Sequence, residues 1–113
     1  MAWVHIAPGD LDISRPGVNR YLVDLPYHWD GHDSHLSFPL VVAQGGRGPC
    51  ALVAGGTHGD EFEGQLAAVR LEQRLVPASV QGTLIIVPTH NRPAALAGVR
   101  CSPIDGADIN RLY

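Results

Sequence analysis

The sequence predicts an α/β fold in which a parallel or mixed sheet is flanked by helices and is preceded by an antiparallel β-hairpin. The runs "CALVAG" (50–55) and "TLIIVP" (83–88) are short and continuously apolar, as is typical of buried strands. A segment with helical periodicity lies between them. The order strand, helix, strand predicts a right-handed βαβ unit with parallel strands, because such strands need a crossover connection.

The first part of the chain predicts the hairpin. The segments "RYLVDLPY" (20–27) and "LSFPLVVA" (36–43) read as strands, and the polar "HWDGHDSH" (28–35) reads as the loop between them. Residues 1–20 carry turn signals, and "QGGRGP" (44–49) is a second turn. With 113 residues the chain is expected to be one domain, with a hairpin region over 1–49 and the βαβ unit over 50–113.

The crossover helix is predicted over 61–76. Asp60 is expected to be its N-cap, with Glu63 completing a capping box, and Pro77 ends it. Two apolar stripes on this helix predict that more than one neighbour covers it. The first stripe comprises Phe62, Leu66, Val69 and Val76, and the second comprises Ala67, Ala68, Leu71 and Leu75. A second helix is predicted over about 93–99, and 100–113 reads as loop.

Composition excludes several classes of function. A net charge of −3 gives no reason to expect a nucleic acid or an anionic membrane as partner. All eight basic residues are Arg, which excludes a Lys Schiff base and a phosphate-loop Lys. Cys50 and Cys101 form no CxxC pattern, and the N-terminus shows no signal peptide, so we expect a protein of the reducing cytoplasm. A sheet that ends after the βαβ unit would leave an exposed strand edge and an apolar surface, so association into a homo-oligomer is expected.

The stretch "GGTHGDE" (55–61) follows the first apolar run and precedes the helix. An imidazole and a carboxylate three residues apart across such a bend can converge on one ion, and both suit zinc, so His58 and Glu61 are candidate ligands. The glycines allow a sharp bend with little bulk. Asp60 is a capping residue or a hydrogen-bond partner of His58 rather than a ligand. A His-x-x-Glu pair also arises by chance; the strand, bend and helix around it favour the metal site.

Three polar residues follow the second apolar run on the same side of the predicted sheet. They are Arg100, Asn110 and Arg111. One Arg can match a carboxylate with two parallel hydrogen bonds, a second can polarise a carbonyl as negative charge develops on its oxygen, and Asn offers a donor and an acceptor. Any one of them alone would better suit a solvated loop.

These residues resemble a known family. "GGTHGDEFEG" and "VPTHNRPAALAGVRCSPIDGADINR" are similar to the succinylglutamate desuccinylase and aspartoacylase family, whose members are zinc enzymes related to the zinc carboxypeptidases. The family pattern is a Gly-x-His-Gly-x-Glu motif, an Asn-x-Pro after the next strand, an Arg, and an Asn-Arg pair. It falls here on His58 and Glu61, Asn91 and Pro93, Arg100, and Asn110 with Arg111. The "SPIDG" segment and the N-terminal hairpin look most like the deacetylases of N-acetylated diamino acids.

The resemblance implies a zinc exopeptidase-like fold, truncated here, and hydrolysis of a small N-acyl amino acid by zinc-activated water. One zinc ion would be held by His58 and Glu61. Arg100 would polarise the scissile carbonyl, and Asn110 and Arg111 would hold the substrate carboxylate.

One departure from the family pattern concerns the end of the chain. Family members continue well beyond the Asn-Arg pair, and that part carries a third zinc ligand, a His, and the Glu that acts as general base. We therefore expect an N-terminal part that is inactive in isolation. His5, His28, His32, His35 and His90 are the possible substitutes for the ligand. A non-catalytic interaction module and a zinc carboxypeptidase acting on peptides remain the alternatives.

Overall fold

The computed structural model describes residues 2–113, except for the side chain of Trp29. These residues form a five-stranded sheet in the spatial order β1-β2-β3-β5-β4. The strands are β1 (Val4–Ile6), β2 (Gly17–Trp29), β3 (His32–Gln44), β4 (Cys50–Ala54) and β5 (Thr83–Val87). The helices are α1 (Phe62–Gln73) and α2 (Arg92–Ala97), with 3₁₀ turns at Pro8–Asp10, Pro77–Ser79 and Ile109–Arg111. β1 is parallel to β2 and β4 to β5, whereas the other pairs are antiparallel, so the predicted mixed sheet with flanking helices is confirmed.

The hairpin is longer than the sequence predicted. The polar segment 28–35, expected to be a loop, continues both strands to a two-residue turn at Asp30 and Gly31. Both turn residues have positive φ, 49° and 76°, as a type I′ hairpin turn requires. The expectation was wrong because the strand tips are exposed on both faces and therefore carry no alternation of apolar residues. β1, which is three residues long, and the start of β2 at Gly17 were also missed.

Pairing of β3 with β5 joins the hairpin and the βαβ unit into this sheet. Val41 and Val42 are adjacent on β3, so their side chains point to opposite faces of the sheet. Val42 packs in a core cluster with Tyr21 and Val87, and Val41 packs with Ala68 of α1. The C-terminal half of β3 is thus the buried centre of the fold.

Two expectations about burial were wrong. β4 was predicted to be buried on both faces, yet it pairs only with β5 among the described strands, and Leu52 is 65% exposed. The α1 stripe of Phe62, Leu66, Val69 and Val76 is also exposed, whereas Ala68 and Leu75 of the other stripe reach the core. Leu52 is in register with Ile85 and Val42, so it lies on the sheet face opposite α1 and does not share a surface with the exposed stripe. No helix within residues 2–113 is long and apolar enough to cross a membrane.

The predicted cap of α1 was also wrong. Glu61, not Asp60, is the residue that precedes the helix, and it makes no side-chain capping bond. Glu61 is still extended (φ −99°, ψ 96°), so helical geometry starts one residue later than predicted. The helix ends at Gln73, before the residues 74–76 that the apolar pattern had included. α2 begins at Arg92 and ends at Ala97, and Gly98 after it has the left-handed conformation typical of a helix C-terminus.

Asp24 links three strands. Its carboxylate accepts a hydrogen bond from Ser37 of β3 and contacts His5 of β1, with Nδ1 2.8 Å from Oδ2. The Ser37 hydrogen bond, the His5 contact and the nearby imidazole of His35 hold the pKa of Asp24 below its usual value. The ionised carboxylate is therefore the form that the fold favours.

We expect the folded state to lose the contribution of Asp24 as the pH falls. A carboxyl group whose pKa is lower in the folded than in the unfolded chain stabilises the fold above the unfolded pKa of about 4, and this contribution disappears as the pH drops through the folded value. Urea denaturation at pH values above and below the folded-state pKa of Asp24 should show a free energy of unfolding that depends less steeply on pH in Asp24→Asn than in the wild type. The exposed Asp60→Asn variant is the control, and an unchanged slope in Asp24→Asn would contradict the prediction.

Candidate active site

The candidate site lies where β4 and β5 end. Because the two strands are parallel, their carboxyl ends meet at one edge of the sheet. β4 leads into the bend 55–61, which we call the metal bend, and β5 leads into residues 88–91 and α2. The two loops are hydrogen-bonded to each other through Gly55 and Gly56, which accept from the backbone N–H groups of His90 and Asn91.

The glycines of the metal bend allow close packing on both sides. A Cβ on Gly59 would lie 2.1 Å from the carbonyl carbon of Ala94 in α2. A Cβ on Gly55 would lie 2.7 Å from the Pro88 oxygen and 2.8 Å from the Gly64 oxygen. Gly56 has a φ of 72°, which side chains other than glycine rarely adopt. The bend therefore fits between α1 and α2 only with these residues.

The imidazole of His58 is buried between two carboxylates. His58 is 7% exposed. Its Nδ1 lies 3.2 Å from Oε1 of Glu61, and its Nε2 lies 2.9 Å from Oδ1 of Asp108. His58 and Glu61 thus lie on one side of the bend, as the zinc hypothesis required. The sequence reasoning missed Asp108, whose only local signal is its position two residues before the Asn-Arg pair.

Arg100 closes the cluster from the solvent side. Its guanidinium lies 3.7 Å from Oε1 of Glu61 and 3.4 Å from Oδ2 of Asp108, and its side chain is half exposed. The hydrogen bond from His58, followed by the Asn110 backbone N–H and the charge of Arg100, lowers the pKa of Asp108. A positive guanidinium is therefore held next to the carboxylates of Glu61 and Asp108.

The remaining predicted residues lie at the edge of this cluster. Asn110 is exposed, and its backbone N–H donates to Asp108 in the 3₁₀ turn. Arg111 is exposed and donates to the Asn110 carbonyl. Asp60 is exposed, and the ring nitrogens of His58 contact Glu61 and Asp108 instead. The expected hydrogen bond between Asp60 and His58 is therefore absent, and Asp108 takes that position.

The histidines considered as substitute ligands have other surroundings. His5 contacts Asp24, and His28 contacts Asp33 within the hairpin. His32 and His35 are exposed on β3. His90 lies beside the metal bend, where Nδ1 is 3.0 Å from the Gly55 oxygen, and its buried Nε2 has no hydrogen-bond partner among the residues described.

The spacing of the donor atoms fits part of a zinc site. Zinc–nitrogen and zinc–oxygen bonds of ordinary length at a tetrahedral angle hold two donor atoms about 3.3 Å apart. The 3.2 Å between His58 Nδ1 and Glu61 Oε1 matches this value. Asp108 on the other ring nitrogen has the arrangement of a carboxylate that orients a metal-bound histidine. Within residues 2–113, however, no group of three His, Cys, Asp or Glu side chains could hold a metal ion.

A cavity of about 270 Å³ lies beside these donors. It is lined by the end of β4, the metal bend and the first turn of α1, and it includes His58, Glu61 and Glu63. A small polar molecule could therefore approach the two donor groups from this side.

Comparison with known proteins identifies the family. Residues 47–113 match the model of the succinylglutamate desuccinylase/aspartoacylase catalytic domain. The chain is 42% identical over 104 residues to the N-alpha-acetyl-L-2,4-diaminobutyric acid deacetylase of Halomonas elongata, a match that covers 91% of this chain and 30% of the deacetylase.

Solved structures agree with this match. The product-bound ectoine utilization protein EutE (DoeB) of Ruegeria pomeroyi is 40% identical with a TM-score of 0.84, covering 92% of this chain and 32% of that protein. The succinylglutamate desuccinylase/aspartoacylase of Rhodobacter sphaeroides is also 40% identical with a TM-score of 0.84, covering 92% and 33%. The chain thus spans about a third of the length of these relatives. It belongs to the succinylglutamate desuccinylase/aspartoacylase family.

Proposed function

We propose that this chain provides the first two metal ligands and the substrate-binding residues of a zinc-dependent hydrolase that cleaves the amide bond of small N-acyl amino acids. The buried His58, held between Glu61 and Asp108, is the observation that carries the proposal. In this reading His58 and Glu61 hold one zinc ion. When bound, zinc would supply a Lewis acid and activate the attacking water.

The chain's own residues would bind and orient the substrate. With the metal bound, Asp108 would accept the Nε2–H of His58 and Nδ1 would be the atom that binds the metal. Arg100, next to Glu61, would donate hydrogen bonds to the carbonyl oxygen as negative charge develops on it. Asn110 and Arg111 would bind the substrate carboxylate, and their exposure leaves their donors available.

The family favours deacylation over peptide cleavage. The relatives are named for removing acetyl or succinyl groups from amino acids, which supports an N-acyl amino acid rather than a peptide as substrate. Because no group of three metal-ligating side chains lies within residues 2–113, we propose that the third zinc ligand and the general base come from outside these residues. A reducing cytoplasm, which suits the free thiols of Cys50 and Cys101, belongs to the same proposal.

Zinc titration of the chain tests the metal site. We expect weak zinc binding by calorimetry, because water must complete the coordination shell, and loss of most of that binding in His58→Ala. The matched control is His32→Ala on the exposed hairpin, which should bind zinc as the wild type does. Tight binding that survives His58→Ala, or binding lost in His32→Ala, would contradict the proposed site.

We further propose that the chain self-associates through the apolar surface formed by Phe62 and Leu66 of α1 and by Val76 after it, all more than half exposed. Light scattering across a concentration series should show oligomers that Leu66→Glu reduces. Leu96→Glu, on the exposed side of α2, is the control because Leu96 is 76% exposed but lies on another element. A monomer at all concentrations would contradict the prediction.

A further inference from the structure

We propose that Asn91, together with His90, is a positioning residue that fixes the backbone of the metal bend and, through it, the imidazole of His58. The Asn-x-Pro element that contains Asn91 has no role in the function proposed above. The link to metal binding rests on that function, whereas the positioning of His58 is a separate claim.

Three consecutive carbonyl groups precede His58, and all of them accept hydrogen bonds from these two residues. Gly55 O accepts from the backbone N–H of His90 at 3.0 Å and lies 3.0 Å from its Nδ1. Gly56 O accepts from the backbone N–H of Asn91 at 3.3 Å, and Thr57 O accepts from Nδ2 of Asn91 at 3.0 Å. The orientation of each peptide plane leading into His58 is therefore fixed by residues 90 and 91.

The surroundings of Asn91 argue against an ordinary capping role. Asn91 occupies the N-cap position of α2, where an Asn side chain normally accepts a backbone N–H of the first turn. Here it makes no such bond, and its amide donates in the opposite direction, to Thr57 of the metal bend. The residue is 2% exposed, so the donor cannot be replaced by water without disturbing the packing.

The chemistry of the contact requires a neutral donor at position 91. Aspartate has nearly the same shape as asparagine but presents only acceptor oxygens when ionised, so Asn91→Asp would face the Thr57 carbonyl with a second acceptor. His90 contributes a weaker constraint, because Gly55 O keeps the backbone bond when the ring is changed. His90→Phe should therefore affect the bend in the same direction but less.

Two measurements on the 113-residue chain test this inference. The first is the backbone amide ¹H and ¹⁵N chemical shifts of His58 in the metal-free chain, because this N–H belongs to the same peptide group as the Thr57 carbonyl. Asn91→Asp removes the donor to that carbonyl and should change these shifts. The second is zinc affinity by calorimetry, which should fall about tenfold in Asn91→Asp, at the lower end of the usual effect of losing a supporting contact. Val42→Ala, in the core cluster away from the bend, is the control for lost stability and should leave the His58 shifts unchanged.

The outcomes separate this inference from the proposed function. His58 shifts that change in Asn91→Asp but not in Val42→Ala support the positioning role. This holds even if neither the wild type nor any variant binds zinc; in that case only the metal proposal fails. Unchanged His58 shifts in Asn91→Asp overturn the inference even if zinc binds to the wild type. Should Asn91→Asp not fold, His90→Phe decides by the same shifts: a smaller change in the same direction supports the inference, and no change overturns it.

Discussion

Arg100→Ala should lower turnover by about a hundredfold or more in a chimera where this chain replaces the segment it matches in the Halomonas elongata deacetylase. The reason is that the guanidinium of Arg100 lies beside Glu61 and Asp108, where it would stabilise charge that appears only in the transition state. Rates on N-acetyl amino acids, with and without added zinc, are the measurement. The unextended chain should show no such activity.

Arg111→Ala in the same chimera should behave differently. A contact with the substrate carboxylate exists in the ground state, so its loss should mainly raise KM and leave kcat nearly unchanged. Arg74→Ala, at the exposed end of α1, is the matched control for loss of a positive charge. Equal effects of Arg100→Ala and Arg111→Ala on kcat would contradict the assigned roles, and zinc-dependent turnover by the unextended chain would contradict its expected inactivity.

Gly59→Ala should destabilise the fold by about 2–3 kcal/mol, the upper range for one methyl group forced into packed surroundings. The added Cβ would lie 2.1 Å from Ala94 C and 2.3 Å from Ala95 N, which are backbone atoms of α2 that cannot rotate away. Urea denaturation followed by circular dichroism measures the change.

The control for Gly59→Ala lies five residues further along the chain. Gly64 is in α1, and its added Cβ would meet only Gly55 Cα at 3.9 Å. Gly64→Ala should therefore stabilise the chain by about 0.5–1 kcal/mol, because alanine has the higher helix propensity. Similar stability of the two variants would show that the contact between the metal bend and α2 is looser than the structure indicates.

The features predicted well from the sequence are those with local causes. The apolar runs at 50–55 and 83–88 located β4 and β5 to within one residue, because a short continuous apolar run between turn signals has few alternatives. The closeness of the His58 and Glu61 side chains was also predicted, because the two residues are only three positions apart across the bend. The metal, catalytic and substrate-binding roles of these residues and of Arg100, Asn110 and Arg111 stay predictions.

The features that the sequence did not predict depend on distant parts of the chain. Asp108 reaches His58 across fifty residues, and no local pattern distinguishes it from Asp105, which lies in the same loop. The pairing of β3 with β5 likewise brings together segments about forty residues apart. The exposure of β4 and of one face of α1 was missed for another reason. An apolar pattern predicts that a surface is buried, but it does not show which part of the structure covers it.

The extended register between β2 and β3 has a consequence for the order of folding. The hairpin closes through a two-residue turn and pairs residues that are near in sequence, so it can form in about 1–10 μs without the rest of the chain. The surroundings of His58 form only when β5 pairs with β3 and when Asp108 contacts the metal bend. Both contacts close long loops of chain, so they cost more conformational entropy than the hairpin does. We therefore expect the hairpin to form before the groups around His58 come together.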